Sequence, residues 1–300
     1  MNCIAQESGY GWTIINGDCV ESLKGLPAHS IDYSIFSPPF ASLYTYSNSP
    51  RDMGNCTSDE EFFEHFGYLI AELRRVMKPG HNVSFHCMLM PSSKQMHGYI
   101  GLRDFRGDLI RAFQAHGFIY ASEVCIWKDP VTAMQRTKAL GLLHKTVREN
   151  ACMSRQGIPD YLITMRAPGE MVDRVTHGAD YPVSKWQQIA SPVWMDINPS
   201  DTLQYMSARE HDDERHICPL QLEVIRRGID LWTNPGDVVL SPFAGIGSEG
   251  YVSLQMGRKF VGIELKQSYY RQAVENLRTA LVSSGDLFCG ITTGLDHACQ

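Results

Sequence analysis

The sequence predicts an α/β fold built on a doubly wound, mostly parallel sheet with a small insertion. Two segments carry the prediction. Residues 31–36 form an apolar strand that stops at a pair of prolines, and residues 237–265 have the pattern of a strand, a glycine turn, a helix and a second strand. A length of 300 residues accommodates one such domain together with a small subdomain.

The first predicted element is a strand at residues 12–17, and Asp18 follows it. Aspartate at this place fits a helix N-cap, because its side chain can accept a hydrogen bond from a backbone N–H group of the first turn. An amphipathic helix is predicted over residues 60–77, and Pro79-Gly80 should end it before a strand at residues 83–87. This helix is expected to be core scaffolding.

The tetrapeptide Ser37-Pro38-Pro39-Phe40 directly follows the apolar strand. Its prolines fix φ and remove two backbone donors, so a hydroxyl, two carbonyls and an aromatic ring are presented together. This set suits a planar ring with an exocyclic amine. Ser37 Oγ and the Pro38 carbonyl can accept the two N–H hydrogens, and Phe40 can stack on the ring. The alternative is a proline-stiffened turn with Phe40 in the core.

The second half of the chain has a nucleotide-binding pattern. A strand ends at Ser241, a glycine turn leads to a helix at residues 249–256, and the next strand, residues 259–265, holds Glu264 near its end. Glycines let the backbone approach a ligand, and the acidic residue can accept hydrogen bonds from ribose hydroxyls. The glycines at 245, 247 and 250 also satisfy G-x-G-x-x-G, so a nicotinamide-dependent oxidoreductase is an alternative.

The tetrapeptide resembles motif IV of the DNA amino-methyltransferases, and residues 242–245 with 257–264 resemble motifs I and II of the S-adenosylmethionine-binding methyltransferases. The base-binding motif precedes the cofactor motif, as in the circularly permuted β group. The resemblance implies a Rossmann-like sheet of the seven-stranded type, S-adenosyl-L-methionine as cofactor, and Ser37, Pro38, Pro39 and Phe40 as catalytic residues. The implied cofactor-binding residues are Asp18, Ser241, Pro242, Phe243, Ala244, Gly245, Gly247, Glu264 and Pro219.

Two positions depart from the family pattern. The family usually has aspartate where this chain has Ser241, and lysine where Cys218 precedes Pro219. Loss of a carboxylate at Ser241 is expected to weaken cofactor binding unless Glu264 and Asp18 compensate.

A basic segment is expected to contact DNA, although the formal net charge of the chain is −6. Between residues 128 and 155, six lysines and arginines stand against two acidic residues. A long loop that becomes ordered on DNA is predicted, and a solvated charged loop is the alternative. Residues 41–59 are predicted to cover the flipped base, with packing inside that loop as the alternative. The candidate DNA-binding residues are Lys128, Gln135, Arg136, Lys138, Lys145, Arg148, Arg155, Tyr44 and Tyr46.

The chain is divided into four parts: a catalytic half, residues 1–168, with its DNA-contacting loop at 128–158; a target-recognition region, 169–214; the cofactor-binding half of the same domain, 215–285; and a tail, 286–300. No metal is expected, because the nine cysteines form no C-x-x-C pair and the scattered histidines lack partners for a metal site. Polar or core roles are expected for His81 and His86, which flank a predicted strand. A signal-peptide pattern is missing, so we expect a cytoplasmic protein.

These observations predict a site-specific enzyme that flips a cytosine out of double-stranded DNA and methylates its N4 atom directly. Serine at the first position of motif IV is commoner among N4-cytosine enzymes, whereas N6-adenine enzymes usually have Asp or Asn and are the alternative. Methylation of cytosine C5 is disfavoured, because it needs a nucleophilic cysteine and Cys218 is misplaced for that role. A non-catalytic DNA-binding protein is a further alternative. Whether the protein forms a homodimer or belongs to a restriction-modification pair stays open.

Overall fold

The computed structural model describes residues 3–40, 52–56, 58–92, 94–131, 143–153, 156–204 and 219–283. Its strands are β1 (Cys3–Gly9), β2 (Trp12–Gly17), β3 (Ile31–Phe36), β4 (Met77–Met88), β5 (Met90–Ser92), β6 (Gly101–Arg103), β7 (Ile119–Ile126), β8 (Asp160–Arg166), β9 (Val193–Trp194), β10 (Val238–Ser241) and β11 (Lys259–Glu264). Its helices are α1 (Cys19–Leu23), α2 (Asp59–Val76), α3 (Lys94–His97), α4 (Phe105–Ala115), α5 (His144–Asn150), α6 (Val183–Ala190), α7 (Leu222–Trp232), α8 (Ser248–Gln255) and α9 (Gln267–Ser283).

Nine of these strands form one sheet in the order β1-β2-β11-β10-β3-β4-β8-β7-β9. The central run from β2 to β4 is parallel. Strand β8 pairs antiparallel with both β4 and β7, and β1 pairs antiparallel with β2. The predicted mostly parallel α/β sheet is confirmed. The seven strands of the expected type are extended at the two edges by β1 and by the short β9.

Helices cover both faces of the sheet, as a doubly wound fold requires. On one face, Phe62 of α2 and Phe113 of α4 belong to the same core as Phe85 of β4, and the Phe113 and Phe85 rings stack with centroids 5.0 Å apart. On the other face, Val224 of α7 and Val252 of α8 are fully buried in a second core. The sheet is therefore held rigidly between two apolar layers.

The boundary after the amphipathic helix differs from the prediction. Strand β4 begins at Met77, immediately after α2, whereas the sequence predicted a turn at Pro79-Gly80 and a later strand. Proline is tolerated at the start of a strand. Gly80 has a φ of 76°, and the β3–β4 register shifts between Ile31 and Tyr33. Between these two positions β3 advances two residues while β4 advances five, from Met77 to Asn82, so an irregularity that includes Pro79-Gly80 takes up three extra residues.

Two segments predicted to be irregular contain regular structure. The basic segment, predicted as a loop throughout, forms α5 at residues 144–150. Within the predicted target-recognition region, α6 and β9 are formed, and β9 extends the sheet by pairing Val193 with Cys125. Among the helices that the structure describes, none combines the length and the apolar run needed to cross a membrane.

Candidate active site

The tetrapeptide lies at the carboxyl end of β3, in the middle of the sheet. Pro38 and Pro39 are buried, whereas Ser37 and Phe40 are partly exposed. The Phe40 ring packs against Phe105 at the start of α4, with centroids 6.1 Å apart. Ser37 is thus presented from a stiff segment whose prolines are anchored in the protein. That Phe40 stacks on a base stays a prediction.

Ser37 is the first member of a chain of hydrogen-bonded side chains. Its Oγ lies 2.9 Å from His86 Nδ1, and His86 Nε2 lies 2.8 Å from Asp160 Oδ2. His86 and Asp160 are both buried. The expected polar or core role of His86 is therefore confirmed, although these two partners were not predicted. His81 has such a role as well, because it is buried and its Nδ1 lies 2.9 Å from the Asp32 carbonyl.

The sheet register brings these three side chains together. Parallel pairing of β3 with β4 aligns Phe36 with Phe85, so Ser37 and His86 are the next residues along each strand. Antiparallel pairing of β4 with β8 sets His86 opposite Leu162, and Asp160 lies two residues from Leu162 on the same face. Because Asp160 is far from Ser37 in sequence, local patterns gave no sign of this arrangement.

A lysine completes the chain. The Lys128 ammonium forms an ion pair with Asp160 Oδ2, the same oxygen that His86 contacts. Burial alone would raise the pKa of Asp160, but His86 and Lys128 more than offset this effect and hold the pKa below its ordinary value. Lys128 was predicted to contact DNA. The structure places it on a buried carboxylate with part of its side chain exposed, and its contact with DNA stays a prediction.

The Ser37–His86–Asp160 geometry has the contacts of a hydrolytic triad, but the chemistry of its surroundings differs. In nucleophile-elbow hydrolases, the N–H of the residue after the serine helps to bind the oxyanion. Here that residue is Pro38, which has no N–H group. The tetrapeptide instead offers carbonyl and hydroxyl oxygens, which are acceptors suited to the hydrogens of an amine.

The glycine turn between β10 and α8 is held by Glu264 at the end of β11. Glu264 Oε2 accepts from the Gly245 N–H and Oε1 accepts from the Lys266 N–H, both at 2.8 Å. Burial raises the pKa of Glu264 to about 7. Burial also raises the pKa of Glu249, in the first turn of α8, to about 8, and the nearby Glu264 carboxylate adds to that effect. Two carboxyl groups therefore share a poorly solvated site beside the turn.

The three glycines have different tasks. Gly245 has a φ of 52°, and a Cβ there would meet no atom within 4 Å, so the backbone borders open space. Gly247 has a φ of 84° and is the N-cap of α8. Gly250 faces Phe260, and a Cβ there would lie 2.5 Å from the side chain of Leu277. Gly245 therefore leaves the turn open to a ligand, Gly247 lets α8 begin close against Ala273, and Gly250 permits close packing of the helix on the sheet.

Several buried polar atoms around this turn have no hydrogen-bond partner among the described residues. These atoms are Ser241 Oγ, Ser248 Oγ and Asn16 Oδ1. Such atoms are uncommon in folded proteins. Together with the open face at Gly245, they fit a polar ligand such as S-adenosyl-L-methionine. Asn16 also donates through Nδ2 to the Glu264 and Leu265 carbonyls, at 2.8 and 3.0 Å, which fixes the end of β11.

The remaining predicted cofactor residues are distributed around this turn and the start of α7. Asp18 is the predicted N-cap, because its Oδ1 accepts from the Glu21 N–H at 2.9 Å. Phe243 lies beside the tetrapeptide strand, with its ring 5.7 Å from that of Phe36. Pro242 and Ala244 complete the turn, and Ala244 N–H donates to the Ile263 carbonyl. Pro219 precedes α7. Their contacts with the cofactor stay predictions.

The candidate DNA-binding residues are only partly described. Lys145 and Arg148 lie on the exposed helix α5, and Lys145 is 3.7 Å from Glu149. Tyr44, Tyr46, Gln135, Arg136, Lys138 and Arg155 lie outside the described residues. Within the described part, no group of three His, Cys, Asp or Glu side chains could hold a metal ion.

A cavity of about 310 Å³ lies away from this site, before β10 and β11 begin. Asp230 borders it and is held by Tyr181 Oη at 2.5 Å and Lys185 Nζ at 2.7 Å. Ligands of open α/β sheets bind at the carboxyl ends of the strands, so this cavity at the opposite edge is not part of the candidate active site.

Comparison with known proteins gives one family and several relatives. The family model described as DNA methylase, of the N6/N4 type, matches residues 31–275. The type II methyltransferase M.BglII of Bacillus subtilis is 24% identical over 85% of this chain, and the match spans 66% of that relative, just under two thirds of its length. The DNA adenine methyltransferase YhdJ of Escherichia coli K12 is 25% identical over 89% of this chain and 83% of its own length.

Solved structures share the fold. TTHA0409 of Thermus thermophilus, in complex with S-adenosyl-L-methionine, has a TM-score of 0.65 and 20% identity, covering 89% of this chain and 94% of that chain. The PvuII DNA methyltransferase, described as cytosine-N4-specific, has a TM-score of 0.61 and 17% identity, covering 92% of each chain.

Proposed function

Because the chain belongs to the family of N6/N4-type DNA methylases, we propose that it transfers a methyl group to the exocyclic N4 of cytosine in DNA. Family membership makes the protein an S-adenosyl-L-methionine-dependent DNA amino-methyltransferase. The nicotinamide-dependent and non-catalytic alternatives are therefore wrong. The proposal concerns the target atom and the residues that act on it.

The observation that carries the proposal is the hydroxyl of Ser37 at the end of β3. An exocyclic amine shares its lone pair with the ring, so it attacks poorly until its hydrogens are held and the nitrogen pyramidalises. Ser37 Oγ and the Pro38 carbonyl are two neighbouring acceptors for these hydrogens. A serine here, rather than Asp or Asn, is the pattern that N4-cytosine enzymes commonly have, and it supports cytosine as the target.

The positions of the two halves support direct transfer. Strands β3 and β10 are parallel neighbours, so the tetrapeptide and the glycine turn leave the same edge of the sheet. S-adenosyl-L-methionine, when bound, supplies an electrophilic methyl group. Ser37 and Pro38 hold the amine, and alignment at a near-attack distance of about 3–3.5 Å supplies most of the acceleration. The new nitrogen–carbon bond would form as the methyl–sulfur bond breaks, and the cationic nitrogen would then lose a proton to water. Because the amine attacks the methyl group directly, no covalent enzyme intermediate is needed.

DNA contacts are proposed for the basic segment and the region that follows. The exposed side chains of Lys145 and Arg148 on α5 suit phosphate groups. Residues 169–214 are proposed to recognise the target sequence. The described part of this region supports the idea, because β9 lies against the end of β7, which leads into the basic segment. Double-stranded DNA is the proposed substrate, and a cytoplasmic location stays a prediction.

N6-adenine is the alternative target. The names of the two relatives point in different directions, because YhdJ is an adenine enzyme and the PvuII enzyme is cytosine-N4-specific. At identities of 25% and 17%, neither protein determines the target base of this chain, so the choice between cytosine and adenine rests on the residues of the site.

Nucleoside mass spectrometry tests the proposal. The protein is incubated with S-adenosyl-L-methionine and mixed-sequence DNA, and N4-methylcytosine is expected. Ser37→Ala should lower its yield by about 10²–10³-fold, the range for loss of one preorganised hydrogen bond in the transition state. Cofactor and DNA affinities should be maintained. Ser30→Ala, a partly exposed serine just before β3, is the matched control and should stay active. If N6-methyladenine is the sole product, the target is adenine and not cytosine. C5-methylcytosine as product would contradict the mechanism.

A further inference from the structure

We propose that His86 is a positioning residue that, held by Asp160, fixes the Ser37 hydroxyl as an acceptor toward the substrate amine. This inference rests on the proposed function of Ser37. The role of His86 depends on which of its ring nitrogens carries the hydrogen. Asp160, which contacts Nε2, determines this tautomer.

The first step is the tautomer of His86. Asp160 is buried and forms an ion pair with the Lys128 ammonium, which keeps it ionised, so its Oδ2 can only accept. His86 Nε2, 2.8 Å away, must therefore donate. In a neutral imidazole the other nitrogen then has no hydrogen, so Nδ1 accepts from the Ser37 O–H at 2.9 Å.

The second step is what this leaves on Ser37. A hydroxyl has one hydrogen and two lone pairs. When its hydrogen is committed to His86, both lone pairs of Ser37 Oγ remain for the amine. A serine without this partner could rotate its hydrogen toward the amine and would then oppose a donor with a donor. His86 therefore removes an unproductive orientation of Ser37 before the substrate arrives.

Lys128 supports the same state through charge. Its ammonium contacts Asp160 Oδ2, and one carboxylate oxygen thus receives both the imidazole and the ammonium. The Lys128 ammonium therefore helps to hold Asp160 as a carboxylate, the form whose Oδ2 can accept from His86 Nε2–H.

The experiment compares two replacements of His86. His86→Asn can place Oδ1 near the former Nδ1 position and accept from Ser37. We expect kcat within about 10-fold of wild type for this variant. His86→Phe provides no acceptor, and kcat should decrease about 10²-fold, with unchanged cofactor affinity by calorimetry. Equal losses in both variants would overturn the inference.

A double-mutant comparison distinguishes an effect of His86 through Ser37 from a general loss of structure. If His86 acts through Ser37, His86→Phe should have little further effect on kcat in a Ser37→Ala background, whereas a structural role would reduce it again. Nitrogen-15 NMR of the free protein should show the Nε2–H tautomer of His86. An Nδ1–H tautomer in an enzyme that yields N4-methylcytosine would overturn the positioning role alone. Failure of the wild type to methylate any base would remove both the proposed function and the role built on it.

Discussion

Neutralising Glu249 should stabilise the protein at neutral and alkaline pH. This side chain is 4% exposed in the first turn of α8, and burial, with a further contribution from Glu264, raises its pKa from 4.5 to about 8. The unfolded chain therefore releases this proton near pH 4.5, whereas the folded protein retains it until about pH 8. Between these values the folded state binds more protons than the unfolded state, so the free energy of unfolding decreases as pH rises.

The size of the effect follows from the two pKa values. With 1.36 kcal/mol for each pH unit, retaining the proton in the folded state lowers the free energy of unfolding by about 4 kcal/mol at pH 7.5 and by about 1 kcal/mol at pH 5, relative to a side chain that does not titrate. Glu249→Gln is such a side chain. Wild type should thus lose about 3 kcal/mol more than Glu249→Gln over this interval.

Urea denaturation at pH 5, 6, 7 and 7.5 measures this difference. All other titrating groups are shared by the two proteins and cancel in the comparison, apart from the coupling to Glu264. Glu275→Gln, at an exposed position of α9, is the matched control and should follow the wild-type curve. Parallel curves for wild type and Glu249→Gln would refute the reasoning, because they would show that Glu249 ionises alike in the folded and unfolded protein.

Two further predictions concern ligands. Glu264→Ala removes the acceptor proposed for the ribose hydroxyls and should weaken S-adenosyl-L-methionine binding by about 1.5–3 kcal/mol. Titration calorimetry measures this loss, and an unaltered affinity in the folded variant would contradict the prediction. The affinity for DNA is the control and should not change. Replacing Lys145 or Arg148 by Ala should each reduce the slope of log DNA affinity against log salt by about 0.9. Glu149→Gln on the same helix should leave cofactor binding unchanged. If neither Lys145→Ala nor Arg148→Ala changes the slope, α5 is solvated surface that does not contact DNA.

The glycine turn was predictable from sequence because its determinants are local. The strand up to Ser241, the glycines and Glu264 lie within one short segment, and their spacing reflects backbone geometry at each position. The amphipathic helix was located for the same reason, through the spacing of its apolar residues. The irregularity at Gly80 was missed, because a Pro-Gly pair signals a break locally and only the pairing with β3 reveals a continuous strand.

The partners of Ser37 could not be predicted, since they depend on strand pairing. His86 and Asp160 meet only because β4 and β8 run antiparallel in a specific register, and slipping that register by one residue would turn Asp160 to the other face. Neither residue stands in a recognisable motif. Lys128 belongs to the predicted basic segment, but the segment does not indicate its ion pair with Asp160. That ion pair forms because the end of β7 lies beside the start of β8.

The strand order has a consequence for how the protein is made. Among the strands that the structure describes, β10 and β11 are the last to be synthesised, yet they occupy the centre of the sheet between β2 and β3. As the chain leaves the ribosome, the inner edges of β2 and β3 stay unpaired until these strands are made. Such long-range pairing folds slowly and exposes apolar edges to aggregation. A nascent chain that ends before Val238 therefore has neither the complete sheet nor the glycine turn, and truncation there should abolish activity.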